Sequence, residues 1–157
     1  MPLIHLTNFI AAPAERVYDL SRNISLHRLS MQHTGEQAIA GVTSGLIQLN
    51  ETVTWQAKHL FKNRVLKVQI TQMQPYHFFE DEMLEGDFAL MKHTHHFKPV
   101  VNGVIMIDLF RFETPYGLLG KMMNRIFLTR YMQQLLQQRN KVIKEYAETE
   151  KWKTVLT

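Results

Sequence analysis

Cysteine is absent from the 157 residues, which excludes disulfides, Cys-ligated zinc, iron–sulfur clusters and thiolate catalysis. Long apolar runs are absent too. None exceeds four residues; Val104 to Ile107, for one, stops at Asp108 and is far too short to span a bilayer. Met1 to Ala12 lack the basic start and apolar stretch of a signal peptide, so the cytoplasm is the expected location. Proline and glycine are sparse, at five and seven residues. No linker, internal repeat or low-complexity run interrupts the chain, and one domain over residues 1–157 is expected. There is no Gly-x-Ser-x-Gly elbow, phosphate-cradling glycine loop, nucleotide fingerprint or His-Glu-x-x-His pair. What is present is enough for a core: 45% apolar residues, with nine Phe, five Tyr and two Trp.

Negative charge is scarce at one end. Residues 121–157 hold eight Lys/Arg against three Asp/Glu, while the preceding 120 residues are nearly balanced, so the net +4 belongs to the C-terminal segment. Lys121, Arg125, Arg130, Arg139, Lys141 and Lys144 are the candidates there for weak contact with an anionic membrane surface or a partner protein. The plainer reading is a solvated helix face. No Arg/Gly tract, Cys/His finger or aromatic RNA-binding signature accompanies the charge, so no nucleic-acid partner is expected.

Periodicity supplies the fold class. Leu3 to Ile10 alternates as a first strand. Pro13 and Glu15 open a short helix to Ser21, and Asn23 opens another carrying Leu26 and Leu29. The middle of the chain has period two: Glu51, Val53, Trp55, Ala57 and His59 share one face, as do Leu66, Val68 and Ile70. Phe79, Asp81 and Met83 form a further such set. Met91, His93, His95 and Phe97 form the next, and Val104, Met106, Asp108, Phe110 and Phe112 follow an Asn102-Gly103 turn. The connections are too short for crossover helices, so an antiparallel sheet is expected. From Tyr116 to Ala147 the spacing is helical, with a phase break between a Leu119–Phe127 stripe and a Tyr131–Tyr146 stripe. A bend or a change of packing partner near Leu128 to Arg130 follows, with a short helix before it and a long one from about Thr129 to Ala147.

Strand, two short helices, curved antiparallel sheet and long C-terminal helix together make an α+β helix-grip layout. The sequence resembles the START/SRPBCC superfamily of lipid-transfer domains, pollen allergens and polyketide cyclases, and most closely an uncharacterised bacterial branch with cell-division-inhibitor-like members. The resemblance rests on Val53-Thr54-Trp55, Gly86-Asp87-Phe88, His93-Thr94-His95-His96-Phe97 and Met106-Ile107-Asp108. Pro115-Tyr116-Gly117-Leu118-Leu119-Gly120 and the run Tyr131 to Lys144 complete it, across essentially the whole chain. It implies a ligand-binding domain with a cavity between sheet and long helix for a small hydrophobic or amphipathic molecule. It implies no cofactor, no metal and no single reaction.

The core faces of the strands also hold Glu51, Trp55, His59, Asp81, His93, His95 and Asp108. Buried ionisable groups are costly unless paired, and a cavity lined by them accommodates that cost. These seven, with the adaptable thioethers of Met106 and Met123, are the candidate ligand-binding residues. His93 and His95 emerge on one strand face about 7 Å apart, and antiparallel register from the Asn102-Gly103 turn sets Asp108 within a residue or two of His95. A His–carboxylate pair there serves a carrier as a ligand contact. The alternative is an enzyme of cyclase or dehydratase type, in which it moves a proton. With Glu51, Asp81 or Asp108 the histidines would also make a zinc-type ligand set. Oligomeric state, ligand identity and pathway have no signature in the sequence.

Overall fold

The computed structural model describes residues 2–114 and 121–156, with the side chains of all of these except 121–124. Pro115 to Gly120 and the side chains of Met122 and Met123 therefore lie outside the described residues.

Strand β1 (Leu3–Ile10) is followed by helices α1 (Ala14–Ser21) and α2 (Ile24–Ser30). Strands β2 (Gln37–Gly41), β3 (Thr52–His59), β4 (Lys62–Gln74), β5 (Phe78–Glu85), β6 (Leu90–Val100) and β7 (Gly103–Glu113) come next. Helix α3 (Lys121–Glu148) and a short α4 (Lys153–Leu156) end the described chain. All described strand pairings are antiparallel, in a seven-stranded sheet of order β1-β7-β6-β5-β4-β3-β2. Register shifts at Lys67/Val68, Ile70/Gln72 and Ala38/Ala40 insert extra residues that bend the strands. The result is a helix-grip fold, a curved sheet closed over by α3.

The two short helices start where local chemistry dictates. Pro13 occupies the N-cap of α1 with Glu15 in the first turn, and Asn23 Oδ1 accepts from the Leu26 amide at 2.8 Å to cap α2. Helix α1 buries Val17, Tyr18 and Leu20, and the Tyr18 ring meets Phe79 and Phe97 edge-on at 5.5 and 5.2 Å. That packing fills one end of the space between sheet and helices. The other end stays open.

Two turns depart from expectation. Val100 pairs with Gly103, so the β6–β7 loop is Val101-Asn102, one residue earlier than Asn102-Gly103, with Asn102 at φ 69°. Gly103 is needed for a different reason: a Cβ there would sit 2.3 Å from the Ile10 carbonyl oxygen of neighbouring β1. Between β3 and β4, His59 pairs with Lys62, leaving Leu60 and Phe61 as a two-residue loop at φ 53° and 67°. Asn-Gly is the usual choice for such a turn because bulky residues at positive φ cost about 1–2 kcal/mol each. Phe61 is nonetheless 98% exposed.

Helix α3 corrects the expected break. It runs unbroken from Lys121 to Glu148, so that among the described residues Lys121 to Leu128 belong to the long helix itself. Leu136, Arg139, Asn140, Ile143 and Ala147 are buried at spacings of three and four residues. Burying Leu136 and Ile143 contributes on the order of 2 kcal/mol each. The phase break has another cause: Ile126 and Phe127 are exposed, on the stretch of α3 that passes the open end. No described helix is long and apolar enough to cross a membrane.

Candidate functional site

The open end leads into a cavity of about 660 Å³ between the concave face of the sheet and helices α2 and α3. Period two on the strands puts Val53, Trp55 and Ala57 of β3, Val68 and Ile70 of β4, and Met91 of β6 on its walls. Helix α3 adds Leu128, Met132, Leu135 and Leu136 from one face. At the rim, His59 Nδ1 and the Tyr131 hydroxyl lie 2.7 Å apart, a strap from the end of β3 to α3. Burial, with the Arg64 charge nearby, lowers the His59 pKa against the pull of Glu36. His27 lies tilted against Trp55 at 4.5 Å, with its Nε2 2.7 Å from Glu36 Oε1.

The inner end is polar. His93 Nε2 lies 2.8 Å from Asp108 Oδ1, and His95 Nε2 lies 2.8 Å from Asp81 Oδ2. Asp108 is fully buried and also receives Asn140 Nδ2 at 2.7 Å and Arg139 Nη1 at 3.3 Å. Arg139 Nη1 donates further to Asn140 Oδ1, and its Nη2 donates to the Ser21 carbonyl and to His95 Nδ1 at 3.3 and 3.2 Å. A guanidinium cannot accept a hydrogen bond, so toward Arg139 the His95 Nδ1 is the acceptor; the same nitrogen lies 3.3 Å from Asp108 Oδ1. Three rings lie in succession, Phe79 stacked on His95 at 4.1 Å and His95 tilted against His93 at 3.8 Å.

Burial and the adjacent His95 push His93 down to about 4, against the pull of Asp108. The ring is neutral at pH 7, with its one proton on Nε2 toward Asp108. Its Nδ1 has no hydrogen-bond partner among the described residues. Burial alone would raise both carboxyls. The hydrogen bond and charge of His95 outweigh it at Asp81, and those of His93, His95 and Arg139 outweigh it at Asp108, so both stay below the usual carboxylate range.

The expected residues divide by position. Trp55, His59, Asp81, His93 and His95 line the cavity. Asp108 faces His95 across the β6–β7 ladder and holds the histidines and Arg139 from behind the wall. Glu51 does not join them: it precedes β3, is exposed, and accepts the Gln48 amide at 2.7 Å in a tight turn. Met106 shares the inward face but packs beneath α1, where Ser21 Oγ is 3.6 Å from its sulfur. The Met123 side chain lies outside the described residues.

Arg139 is the largest correction. By charge it counts with a basic surface, yet it is 4% exposed and central to the polar end. Its position three after Leu136 and four before Ile143 places it on the buried stripe of α3. That spacing, and the same logic for Asn140, is the signal available in the sequence. The basic face is thinned further by Lys144, which binds the Phe9 carbonyl and Glu148.

Asp81, His93 and His95 each offer one ligand atom, all within 4.8 Å of one another. A tetrahedral zinc ion sets its ligands about 3.3 Å apart, so closing on an ion requires this cluster to contract and the Asp81–His95 hydrogen bond to open.

No family model and no curated protein matches the sequence. The fold does match solved structures. A protein from Thermus thermophilus superposes with a TM-score of 0.76 at 19% identity, over 93% of this chain and 97% of the other. A START superfamily protein from Mycobacterium smegmatis gives 0.70 at 12% identity, over 93% and 97%. The di-domain ARO/CYC StfQ from the steffimycin biosynthetic pathway gives 0.75 at 11% identity, over 93% of this chain and 50% of that one. At these identities the likeness establishes the START/SRPBCC helix-grip fold.

Proposed function

We propose that the chain is a ligand-binding domain holding one small hydrophobic or amphipathic molecule in the cavity between sheet and α3. The observation that carries this reading is the cavity itself: about 660 Å³, walled largely by aliphatic and aromatic side chains, with Asp81, His93, His95 and Arg139 at its inner end and His59 and Tyr131 at its rim. A volume of this size suits a ligand of drug-like or short-lipid dimensions. Trp55, His59, Asp81, His93 and His95 are the contacts, and Asp108 and Arg139 position the two inner histidines.

Binding is favoured over acid–base catalysis by the protonation of the inner end. Both His95 nitrogens are engaged within the protein, and His93, at about 4, is a weak base at neutral pH. A cyclase or dehydratase needs a group able to take and return a proton near pH 7, and His93, the ring with an unengaged nitrogen, is not one.

Native mass spectrometry of the purified protein after incubation with lipid and metabolite extracts tests the proposal. A retained small molecule of defined mass, lost on Trp55→Ala or Leu136→Trp, supports it. A protein that retains nothing across such extracts overturns it.

A further inference from the structure

The arginines around the cavity are already paired. Three line it, and each faces a carboxylate of its own: Arg22 Nη2 is 2.9 Å from Asp19, Arg64 Nη1 is 2.7 Å from Asp87, and Arg139 Nη1 is 3.3 Å from Asp108. Of these three, Arg139 is the one at the inner end. Both its Nη atoms make two hydrogen bonds, to Asp108, Asn140, the Ser21 carbonyl and His95. A guanidinium forks around a carboxylate or phosphate through these donors. Here the fork is closed on the protein.

What the inner end leaves open is acceptors. His93 Nδ1 has no partner among the described residues, and its lone pair is free because the ring proton lies toward Asp108. Asp81 lines the cavity and uses Oδ2 on His95, while no hydrogen bond among the described residues involves its Oδ1. The charges agree with this. Asp81 presents its carboxylate to the cavity while the Arg139 charge is engaged by Asp108, so an anionic head would meet a like charge first.

Resting on the reading of the cavity as a ligand site, we infer that the ligand's polar head is a hydrogen-bond donor without negative charge, an alcohol, phenol or amine seated on His93 Nδ1 and Asp81. A fatty acid or phosphate-headed lipid is the wrong chemistry for this end. The shared feature of the accepted ligands is an O–H or N–H directed inward. The two acceptors differ in what they favour: His93 takes a neutral hydroxyl equally well, whereas the Asp81 charge adds attraction for an ammonium.

Four probes with the same chain and different heads separate the outcomes: dodecane, dodecanol, dodecylamine and dodecanoate. Each is titrated below its micelle threshold into the intact protein, with chelator present to keep the Asp81–His93–His95 cluster free of metal. Cavity occupancy is read by amide NMR shifts and fluorescence of Trp55. Dodecanol and dodecylamine are expected to bind at least ~10-fold tighter than dodecanoate, a gap of about 1.4 kcal/mol, and tighter than dodecane. Dodecanoate binding as tightly as dodecanol, or dodecane doing so, overturns the head-group inference while the cavity reading stands. Failure of all four probes overturns the cavity reading itself.

Two substitutions localise the effect. His93→Phe is expected to remove the advantage of dodecanol over dodecane while dodecane still binds. Asp81→Asn is expected to narrow the gap between dodecylamine and dodecanoate, and it serves by itself if His93→Phe does not fold. Head-group preferences unchanged in Asp81→Asn would overturn the assignment.

Discussion

Arg139 on α3 donates from Nη2 to Nδ1 of His95 on β6 across 3.2 Å. This bond joins those of Arg139 and Asn140 to Asp108 in tying the long helix to the sheet. It also makes the inner end a unit: Asp81, His93, His95, Asp108, Arg139 and Asn140 are joined in one hydrogen-bonded network at the cavity wall. Removing any one member leaves a buried group without its partner.

Arg139→Ala should therefore be among the most destabilising single changes on α3, costing about 3–5 kcal/mol, because it strands the Asp108 charge. Arg139→Met combined with Asp108→Asn should recover much of that loss. Urea denaturation of the single and double variants measures both, and strictly additive effects would mean the two residues do not act as a pair.

Acid should weaken the protein in a defined window. An unfolded histidine titrates near 6.5, while His93 in the fold sits at about 4. Between those values the unfolded chain binds a proton that the native chain does not, so stability falls as pH falls, by ~3 kcal/mol across the window. Asp108, held below the usual carboxylate range, adds a further loss below about pH 4, where its unfolded form takes up a proton. Urea midpoints measured from about pH 8 to about pH 4 should slope in the native chain and slope less in His93→Gln. Parallel curves would assign the acid sensitivity elsewhere.

The strap at the rim should govern how quickly the cavity exchanges its contents. Tyr131→Phe deletes the hydroxyl that meets His59 at 2.7 Å and keeps the ring. The expected cost is about 1 kcal/mol of stability, with faster amide exchange at the end of β3 and faster ligand release. Unchanged release kinetics would make this bond a feature of packing alone.

The β3–β4 hairpin carries an avoidable strain. Leu60→Asn with Phe61→Gly places in the turn the residues its positive φ values favour, and should stabilise the protein by about 1 kcal/mol. A thermal melt is sufficient to check it. A drop in stability would show that the exposed Phe61 ring makes a contact worth more than the backbone relief.

Much of this architecture is legible in the residues. Alternation along Met91, His93, His95 and Phe97 and along Val104 to Phe112 places the histidines and Asp108 on one inward face, and the ladder sets His95 opposite Asp108. Glu51 misleads because the alternation extends one residue beyond the strand, into a turn where the side chain answers to Gln48 instead. The two-residue hairpin at Leu60-Phe61 carries no Asn-Gly signal and is set by strand pairing alone. Arg139 and Asn140 are hidden for a different reason: their charge and polarity point to a surface, although their spacing from Leu136 and Ile143 marks them as buried. Which two carboxylates hold which two histidines depends on tertiary placement of β5 and α3, and no local pattern encodes it.

The assembly of the inner end has a consequence for how the chain folds. Strands β5, β6 and β7 are joined by short connections, so Asp81, His93, His95 and Asp108 come together as soon as that meander forms. Arg139 arrives from 31 residues beyond Asp108, and its bond to the Ser21 carbonyl spans 118 residues. Contacts of such long separation close late, after the loop entropy has been overcome. Docking of α3 is then the step at which water leaves the cluster. Changes at Arg139 act mainly on the rate of unfolding, whereas changes in the meander act on the rate of folding.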